Sequence, residues 1–328
     1  MTVTDHARLP VTLDDIRAAA ARIAPYVHRT PLLESATLKR MTGADLRLKA
    51  EHLQRSGSFK LRGALNKLLT LSEEQRCRGV VAFSSGNHAQ GVALAARLTG
   101  TRATIVMPAD APRVKLEATR GYGAEIVLYD RQREDREAIA RRIAAEREAV
   151  IVPPFDDPLI IAGQGTIGLE VAEDWPEIEI ALVPVGGGGL ISGIAIALKA
   201  LRPEVRVIGV EPAVADDARQ SLERGHIVRI PQPQTIADGV ATQAIGRYPF
   251  AIMRRLVERI VTVSEAEILQ ALELILTRTK QVVEPTGALT TAAALSACLD
   301  LRDRKVMSLL CGGNLDLRVL QRLDAGSC

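Results

Sequence analysis

Short β-rich runs alternate with amphipathic helical runs along nearly the whole chain, and this rhythm restricts the fold more than any other feature. Residues 46–49, 80–83, 103–107, 125–128 and 150–152 read as one set of strands. Residues 180–185, 205–210 and 306–310 read as a second, more continuously apolar set. Thr12 is a suitable N-cap for a first helix that runs to about Ala24 and stops before Pro25. Further helices are predicted over 64–71, from His88 through Leu98, and over 113–120, 135–147 and 165–174. The second half adds helices from the glycine run at 186–189 to about Leu201, then 215–224, 250–257, 265–280 and 288–299. Repeated βα units predict an α/β fold of two open, mainly parallel sheets flanked by helices. Ligands of such folds sit at the carboxyl ends of the strands, where the motifs below fall.

The bulk properties exclude several classes. With 328 residues, 47% hydrophobic and 25% charged, the chain has room for two subdomains sharing a large core. Aromatics are only 3% and the net charge is +3, which gives a nucleic acid neither stacking surface nor basic patch. The basic stretch 131–147 is interleaved with Glu134, Asp135, Glu137 and Glu146 and followed by Glu148, the pattern of a solvated helix face. Cys77, Cys298, Cys311 and Cys328 show neither a CxxC motif nor a disulfide framework. Residues 1–10 lack the apolar centre of a signal peptide, and no apolar run reaches the ~20 residues of a membrane helix. The expectation is a reduced, cytoplasmic protein without nucleic-acid or membrane partners.

Four stretches carry chemistry. Ser56-Gly57-Ser58-Phe59-Lys60-Leu61-Arg62-Gly63-Ala64 sets a lysine between a strand and a helix. Burial there would lower its pKa and make a nucleophilic amine, able to react with an aldehyde cofactor. Alone, such a lysine also fits a solvated charge beside a turn. Ser84-Ser85-Gly86-Asn87-His88 follows a strand and opens a helix, so hydroxyls, an amide and backbone N–H groups converge as an anion seat or, more simply, as a capped helix start. Gly186, Gly187, Gly188 and Gly189 form a second strand-to-helix junction, where side-chain-free backbone can wrap a phosphate. Neither GxGxxG nor GxxxxGK[ST] is present, so the dinucleotide and P-loop readings lack their fingerprints. Cys311-Gly312-Gly313-Asn314 ends the last strand; its glycines permit close approach of backbone to a flat ring, and Cys311 alone fits a core thiol.

An amine, an anion seat and a phosphate cup are together the parts a pyridoxal phosphate enzyme needs. The order SGSFKLRGA, SSGNHAQG, GGGGL, CGGN resembles the fold type II pyridoxal phosphate enzymes, and within them the serine/threonine dehydratases and serine racemases. The resemblance covers about residues 13–320. Phe59, Arg62-Gly63-Ala64 and His88 set it apart from the cysteine synthase branch.

The resemblance implies a division of labour. Lys60 would bond the cofactor aldehyde and then work as the base, with Phe59 packed beside the ring. Asn87 would bond the ring 3′ oxygen. Gly186, Gly187, Gly188, Gly189 and Leu190 would hold the phosphate, and Cys311 would face the pyridine nitrogen. Ser84, Ser85, Asn87 and His88 would receive the substrate carboxylate, with Ser85 as a second proton carrier if racemisation occurs. Glu211, Ala215 (by its carbonyl) and Asp217 match a divalent-cation site suited to Mg²⁺ or Ca²⁺; the same residues also read as a capped, acidic helix start. Gln164, Gly165 and residues 235–239 are candidate walls of the substrate pocket. Lys115 and Tyr122 match nucleotide-contact positions of the mammalian-type racemase. The domains are expected at 1–79 with 153–328 (large, cofactor-binding) and 80–152 (small, mobile), with no C-terminal regulatory domain. The implied activity is an L-threonine/L-serine ammonia-lyase acting as a homodimer or homotetramer. A serine racemase or a 3-hydroxyaspartate or phenylserine dehydratase is the alternative within the fold. A non-catalytic phosphate-binding protein is the alternative outside it.

Overall fold

The computed structural model describes residues 9–111 and 113–324. Residues 1–8 of the N-terminal stretch, and Cys328, lie outside the described residues. Among the described residues there are ten strands: β1 Leu32–Glu34, β2 Asp45–Lys49, β3 Val80–Phe83, β4 Ala103–Pro108, β5 Glu125–Tyr129, β6 Val150–Ile151, β7 Ile180–Pro184, β8 Arg206–Pro212, β9 Arg259–Val263 and β10 Lys305–Leu309. The helices before residue 125 are α1 Leu13–Ile23, α2 Ala36–Thr42, α3 Lys60–Leu69, α4 Glu73–Arg78, α5 Asn87–Thr99 and α6 Arg113–Gly121. Then come α7 Arg136–Arg147, α8 Pro158–Asp174, α9 Gly189–Leu201, α10 Asp217–Arg224, α11 Arg247–Leu256, α12 Glu265–Leu274 and α13 Pro285–Leu295.

Two sheets form, in the orders β1-β2-β10-β7-β8-β9 and β5-β4-β3-β6. Every strand pair is parallel except the β1–β2 pair at one edge. In the larger sheet β10 lies between β2 and β7, with Ser308 opposite Leu48 on one side and Leu182 on the other. Alternate residues of β7 feed opposite faces. Ile180 and Leu182 pack into a cluster with Leu272, Leu289 and Ala293, while Ala181 and Val183 pack with Ile191, Ile194 and Met253. That two-sided burial explains why 180–185 reads as a continuous apolar run. The smaller sheet divides likewise, Ile105 and Met107 facing Leu65 and Val92, and Val106 facing Ala140 and Ile143. Among the described residues no helix is long and apolar enough to cross a membrane.

Several element boundaries differ from the sequence expectation for local reasons. Helix α8 begins at Pro158, behind an Asp157 cap that accepts from the Leu159 and Ile160 N–H groups, not at residue 165. Gly163, Gly165 and Gly168 weaken helix propensity there, but close packing on α3 and α9 overrides it: a Cβ at Gly163 would lie 2.7 Å from the Arg62 carbonyl oxygen. Helix α3 starts at Lys60 itself. Helix α12 gives way after Leu274 to a π-helical turn, Ile275–Thr279. The strands not anticipated, β1 and β9, are the two edges of the larger sheet, where half-solvated residues dilute the apolar signal.

A buried ionic cluster ties four of these segments together. Arg62, in the first turn of α3, gives Nε and Nη2 to Glu51 at 2.9 and 2.7 Å, and Nη1 to Glu170 of α8 at 2.6 Å. Lys49, at the end of β2, donates to Glu170 at 2.6 Å and to the Thr30 carbonyl at 2.7 Å. Two cations thus meet two carboxylates in a nearly dry space, Lys49, Glu51 and Arg62 all being 0% exposed. Burial pushes the Glu51 carboxyl up, but Arg62 and Lys49 outweigh it and hold it below the usual carboxylate range. Removing one partner strands the others without a counter-charge. Arg62→Ala is expected to lose about 3–5 kcal/mol of unfolding free energy in urea titrations; a loss under about 1 kcal/mol would show that the cluster relaxes freely.

Candidate active site

The carboxyl ends of β3, β7 and β10 face one cavity of about 140 Å³, lined from every stretch singled out in the sequence. Phe59, Lys60, Ser84, Ser85, Gly86, Asn87, His88, Gly186, Gly187, Gly188, Gly189, Leu190 and Cys311 all contribute to its wall. Stretches 24 or more positions apart in sequence therefore share one site, as the βα pattern requires.

Lys60 enters as the first residue of α3. The loop before it is tied to the end of β10: the Phe59 N–H donates to the Cys311 carbonyl at 3.1 Å, and Ser58 bridges to Gly312. Gly57 makes that loop possible, since its φ is +71° and a Cβ there would lie 2.5 Å from Asn314 Oδ1. The Lys60 Nζ donates to the Pro154 carbonyl at 2.8 Å, and no carboxylate among the described residues pairs with it. Burial lowers its pKa to about 8, the Cys311 site opposing only weakly. A sizeable neutral, nucleophilic fraction is therefore present near neutral pH.

Gly186 to Gly189 bring the start of α9 to the cavity. Gly188 is the N-cap, at φ +86°, and makes no side-chain capping bond, so the first N–H groups of α9 are not taken by a side-chain cap. A Cβ at Gly187 would lie 2.1 Å from the Phe155 ring. Only glycine fits, and the bare backbone with its helix dipole suits a phosphate.

The Ser84–His88 loop is a second uncapped helix start, with Gly86 as N-cap of α5 and no side-chain capping bond. Ser84 Oγ accepts from the Gly86 N–H at 3.2 Å, which shapes the loop. His88 is the second residue of α5. Its Nε2 is bonded to the Val152 carbonyl at 2.9 Å, and burial, then Lys60, lower its pKa to about 3. The imidazole is neutral and already engaged, so it offers an anion no cationic side chain. Asn87 is gripped by two side chains: Asn314 Nδ2 donates to its Oδ1 at 2.8 Å, and its own Nδ2 donates to Glu284. Cys311 is 1% exposed and its Sγ donates to the Thr286 carbonyl at 3.5 Å. Burial raises its pKa well above the usual thiol value, so the thiol stays neutral.

Some sequence candidates fall elsewhere. Gln164 accepts from the Gly63 N–H at 3.1 Å and is 1% exposed, serving the α3–α8 contact. Gly165 packs against Ile16 and Gly193 in the α1–α8–α9 core. Neither belongs to the cavity wall, because α8 points its glycines at helices. Asp238 and Gly239 do line the cavity. Lys115 also lines it and is ion-paired with Asp238. Tyr122 packs on the smaller core. The cavity adds residues the motifs did not mark, among them Arg136, Pro154 and Phe155. Behind Asn87 stands Glu284, whose place before Pro285-Thr286-Gly287 gives only a helix-start signal.

Away from the cavity, Glu211, Ala215 and Asp217 are each 0% exposed. Glu211 accepts from the Ala218 and Arg219 N–H groups at 3.0 and 2.9 Å, while neither Asp217 carboxylate oxygen has a well-formed hydrogen bond among the described residues. Burial, then the charge of Asp217, raises Glu211 well above its usual value, and burial, then the charge of Asp216, raises Asp217 to about 7. A poorly bonded buried carboxylate beside another suits a hard cation. Among the described residues no group of three or more His, Cys, Asp or Glu side chains forms a metal cluster. A cation here would thus depend on backbone oxygen and water as well.

A weakly basic lysine amine facing an uncapped, glycine-built helix start across one cavity defines an enzyme that holds an aldehyde-bearing phosphate cofactor. The chain belongs to the family described as pyridoxal-phosphate dependent enzymes, whose profile matches residues 23–312. It is 47% identical over 315 residues to the L-threo-3-hydroxyaspartate ammonia-lyase of Saccharomyces cerevisiae, covering 96% of this chain and 97% of that one. It is 47% identical over 313 residues to the L-threonine ammonia-lyase of Thermotoga maritima, covering 95% and 78%. The solved structure of maize serine racemase superposes with a TM-score of 0.92 at 42% identity, covering 97% of this chain and 98% of that one. The fold is that of the fold type II enzymes, the protein is an enzyme, and its cofactor is pyridoxal 5′-phosphate.

Proposed function

We propose that the protein eliminates water from a β-hydroxy amino acid, L-threonine or L-serine, and that water returns as the released enamine hydrolyses, so that the net products are 2-oxobutanoate or pyruvate and ammonia. The observation that carries this reading is the Lys60 amine, without a carboxylate partner among the described residues and of lowered pKa, in one cavity with two uncapped helix starts. Relatives that act on threonine and on 3-hydroxyaspartate support the elimination chemistry.

Bound pyridoxal 5′-phosphate supplies the sink for the electron pair left at the substrate Cα. The chain supplies the rest. The backbone of Gly186 to Gly189 and Leu190 would hold the phosphate, Phe59 would pack beside the ring, and Asn87 would bond a ring oxygen. Ser84, Ser85 and the N–H groups at the start of α5 would orient the substrate carboxylate, with His88 contributing backbone rather than imidazole. Lys60 Nζ would take the Cα proton, a task its lowered pKa suits. Cys311, neutral, gives the ring nitrogen no counter-charge. Residues 80–152, which carry the smaller sheet, would move as a unit over residues 1–79 and 153–328 and shut out water. Borohydride is expected to fix a yellow chromophore on Lys60. Lys60→Ala is expected to keep its fold and lose about 10³-fold in turnover. A colourless protein that takes up no pyridoxal phosphate would favour a binding-only role, and retained turnover in the variant would remove Lys60 from catalysis.

One residue favours a second reading, a 3-hydroxyaspartate ammonia-lyase. Arg136 lines the cavity, stands 5.9 Å over the Phe83 ring, and has no ion pair among the described residues. An unspent guanidinium there suits a second, distal substrate carboxylate. In a panel of β-hydroxy amino acids, Arg136→Leu is expected to lower kcat/KM for 3-hydroxyaspartate by about 10- to 100-fold and to leave threonine within about threefold. Equal losses on both would return Arg136 to a general role. D-serine from L-serine in the same panel would instead assign Ser85 the return of a proton and make the protein a racemase.

Glu211, the Ala215 carbonyl and Asp217 would hold Mg²⁺ or Ca²⁺. Either ion is expected to raise the wild-type Tm by roughly 2–4 °C and to leave the Asp217→Asn variant unmoved.

A further inference from the structure

The Asn87 amide is held at both ends. Its Oδ1 accepts from Asn314 Nδ2, which is itself anchored on the Ser56 carbonyl at 3.0 Å. Its Nδ2 donates to Glu284. One Nδ2 hydrogen is therefore committed, and the other is left for a ligand in the cavity that Asn87 lines.

Glu284 is arranged for this contact and not for the one its position suggests. It is the N-cap residue of α13, yet its side chain makes no capping bond and is turned to Asn87. It is only 2% exposed. A Cβ at Gly312 would lie 2.4 Å from Glu284 Oε1 and 2.9 Å from Asn87 Nδ2, so the chain keeps a glycine where the pair passes. The backbone supports the same arrangement, the Glu284 N–H donating to the Gly312 carbonyl at 3.1 Å.

We propose that Glu284 is a positioning residue that acts through Asn87: by accepting one Nδ2 hydrogen it fixes the flip of that amide and presents the other N–H to the cofactor. The proposal rests on reading the cavity as the cofactor site. An ionised carboxylate only accepts, so it permits one amide orientation; a carboxylic acid also donates and enforces neither. Glu284 is faced by Asp238 from the turn Asp238–Val240, by Lys115 from α6, and by the neutral Cys311 thiol after β10; Asp316 acts in turn on Lys115. Burial and then Asp238 raise the Glu284 pKa to about 7, with Lys115 and Asn87 opposing. The accepting form prevails above that pH and is lost as pH falls through it.

The test is an absorbance titration between about pH 6 and 9 of the full-length protein reconstituted with pyridoxal phosphate, as wild type, Glu284→Gln and Glu284→Ala. The wild-type cofactor band is expected to change with a midpoint at about 7. Glu284→Gln, whose amide both accepts and donates as the carboxylic acid does, is expected to keep the low-pH cofactor band throughout and to lack the midpoint. Glu284→Ala is expected to shift the band and weaken cofactor binding about tenfold. A second readout uses the same chain without cofactor: the Asn87 side-chain amide resonance is expected to titrate in the wild type and not in the Gln variant. A midpoint that survives in the Gln variant, or an Ala variant with unchanged band and affinity, overturns the proposal. A purely structural Glu284 would lower Tm in both variants and leave the midpoint in place. If the wild type takes up no pyridoxal phosphate, the cofactor-site reading falls, and the amide titration alone still decides whether Glu284 governs Asn87.

Discussion

The two-cation, two-carboxylate cluster around Arg62 is the constraint on which the site depends. Arg62 lies two residues beyond Lys60, and its guanidinium donates to Glu51 on one side and to Glu170 on the other. A cluster of this kind adds little net stability, since desolvating four charges costs about what their attraction returns. What it adds is definition. A bidentate guanidinium admits a narrow set of orientations, so the first turn of α3 cannot rotate without breaking several charged bonds. The amine of Lys60 is thereby aimed by groups that never touch the ligand. Apolar packing alone, tolerant of small slips, would fix it less firmly.

Around this anchor the cavity is assembled from unpaired polar ends. Two helices, α5 and α9, start without side-chain caps. An uncapped start leaves N–H groups that water or a ligand must satisfy. Among the described residues the amine of Lys60 is hydrogen-bonded to a carbonyl and lacks a carboxylate partner. Each feature is unfavourable in isolation, and each is relieved by an anionic, carbonyl-bearing ligand. The same economy shows at Asp217, whose buried oxygens have no well-formed hydrogen bond among the described residues.

Much of this was legible in the sequence because it is written in local chemistry. The βα alternation gave the sheet type, and the glycine quartet and the lysine stretch gave the cavity wall. The edge strands β1 and β9 escaped because solvent on one side erases the continuous apolar signal. The true start of α8 was masked by Gly163 and Gly165, although Asp157-Pro158 was the available cue. Reading Gln164 and Gly165 as pocket walls failed because a glycine-rich helix face signals close helix packing as readily as ligand approach. The carbonyl that occupies the His88 ring, Val152, lies 64 residues away. The Glu284–Asn87 contact spans 197 residues and leaves no local trace. Long-range pairings of polar groups are set by topology, and a single sequence does not reveal them.

The position of β10 has a consequence for how the molecule comes into being. The strand nearest the end of the described chain is not an edge but the wedge between β2 and β7. Until residues 305–309 emerge from the ribosome, the larger sheet exists only as two fragments, each offering an open row of amides and carbonyls. Cys311 and Gly312, which close the floor of the cavity against Phe59 and Ser58, arrive with the same segment. A nascent chain therefore cannot grip its vitamin until that segment is made, and a stop just ahead of it would leave a polypeptide that is both empty and sticky.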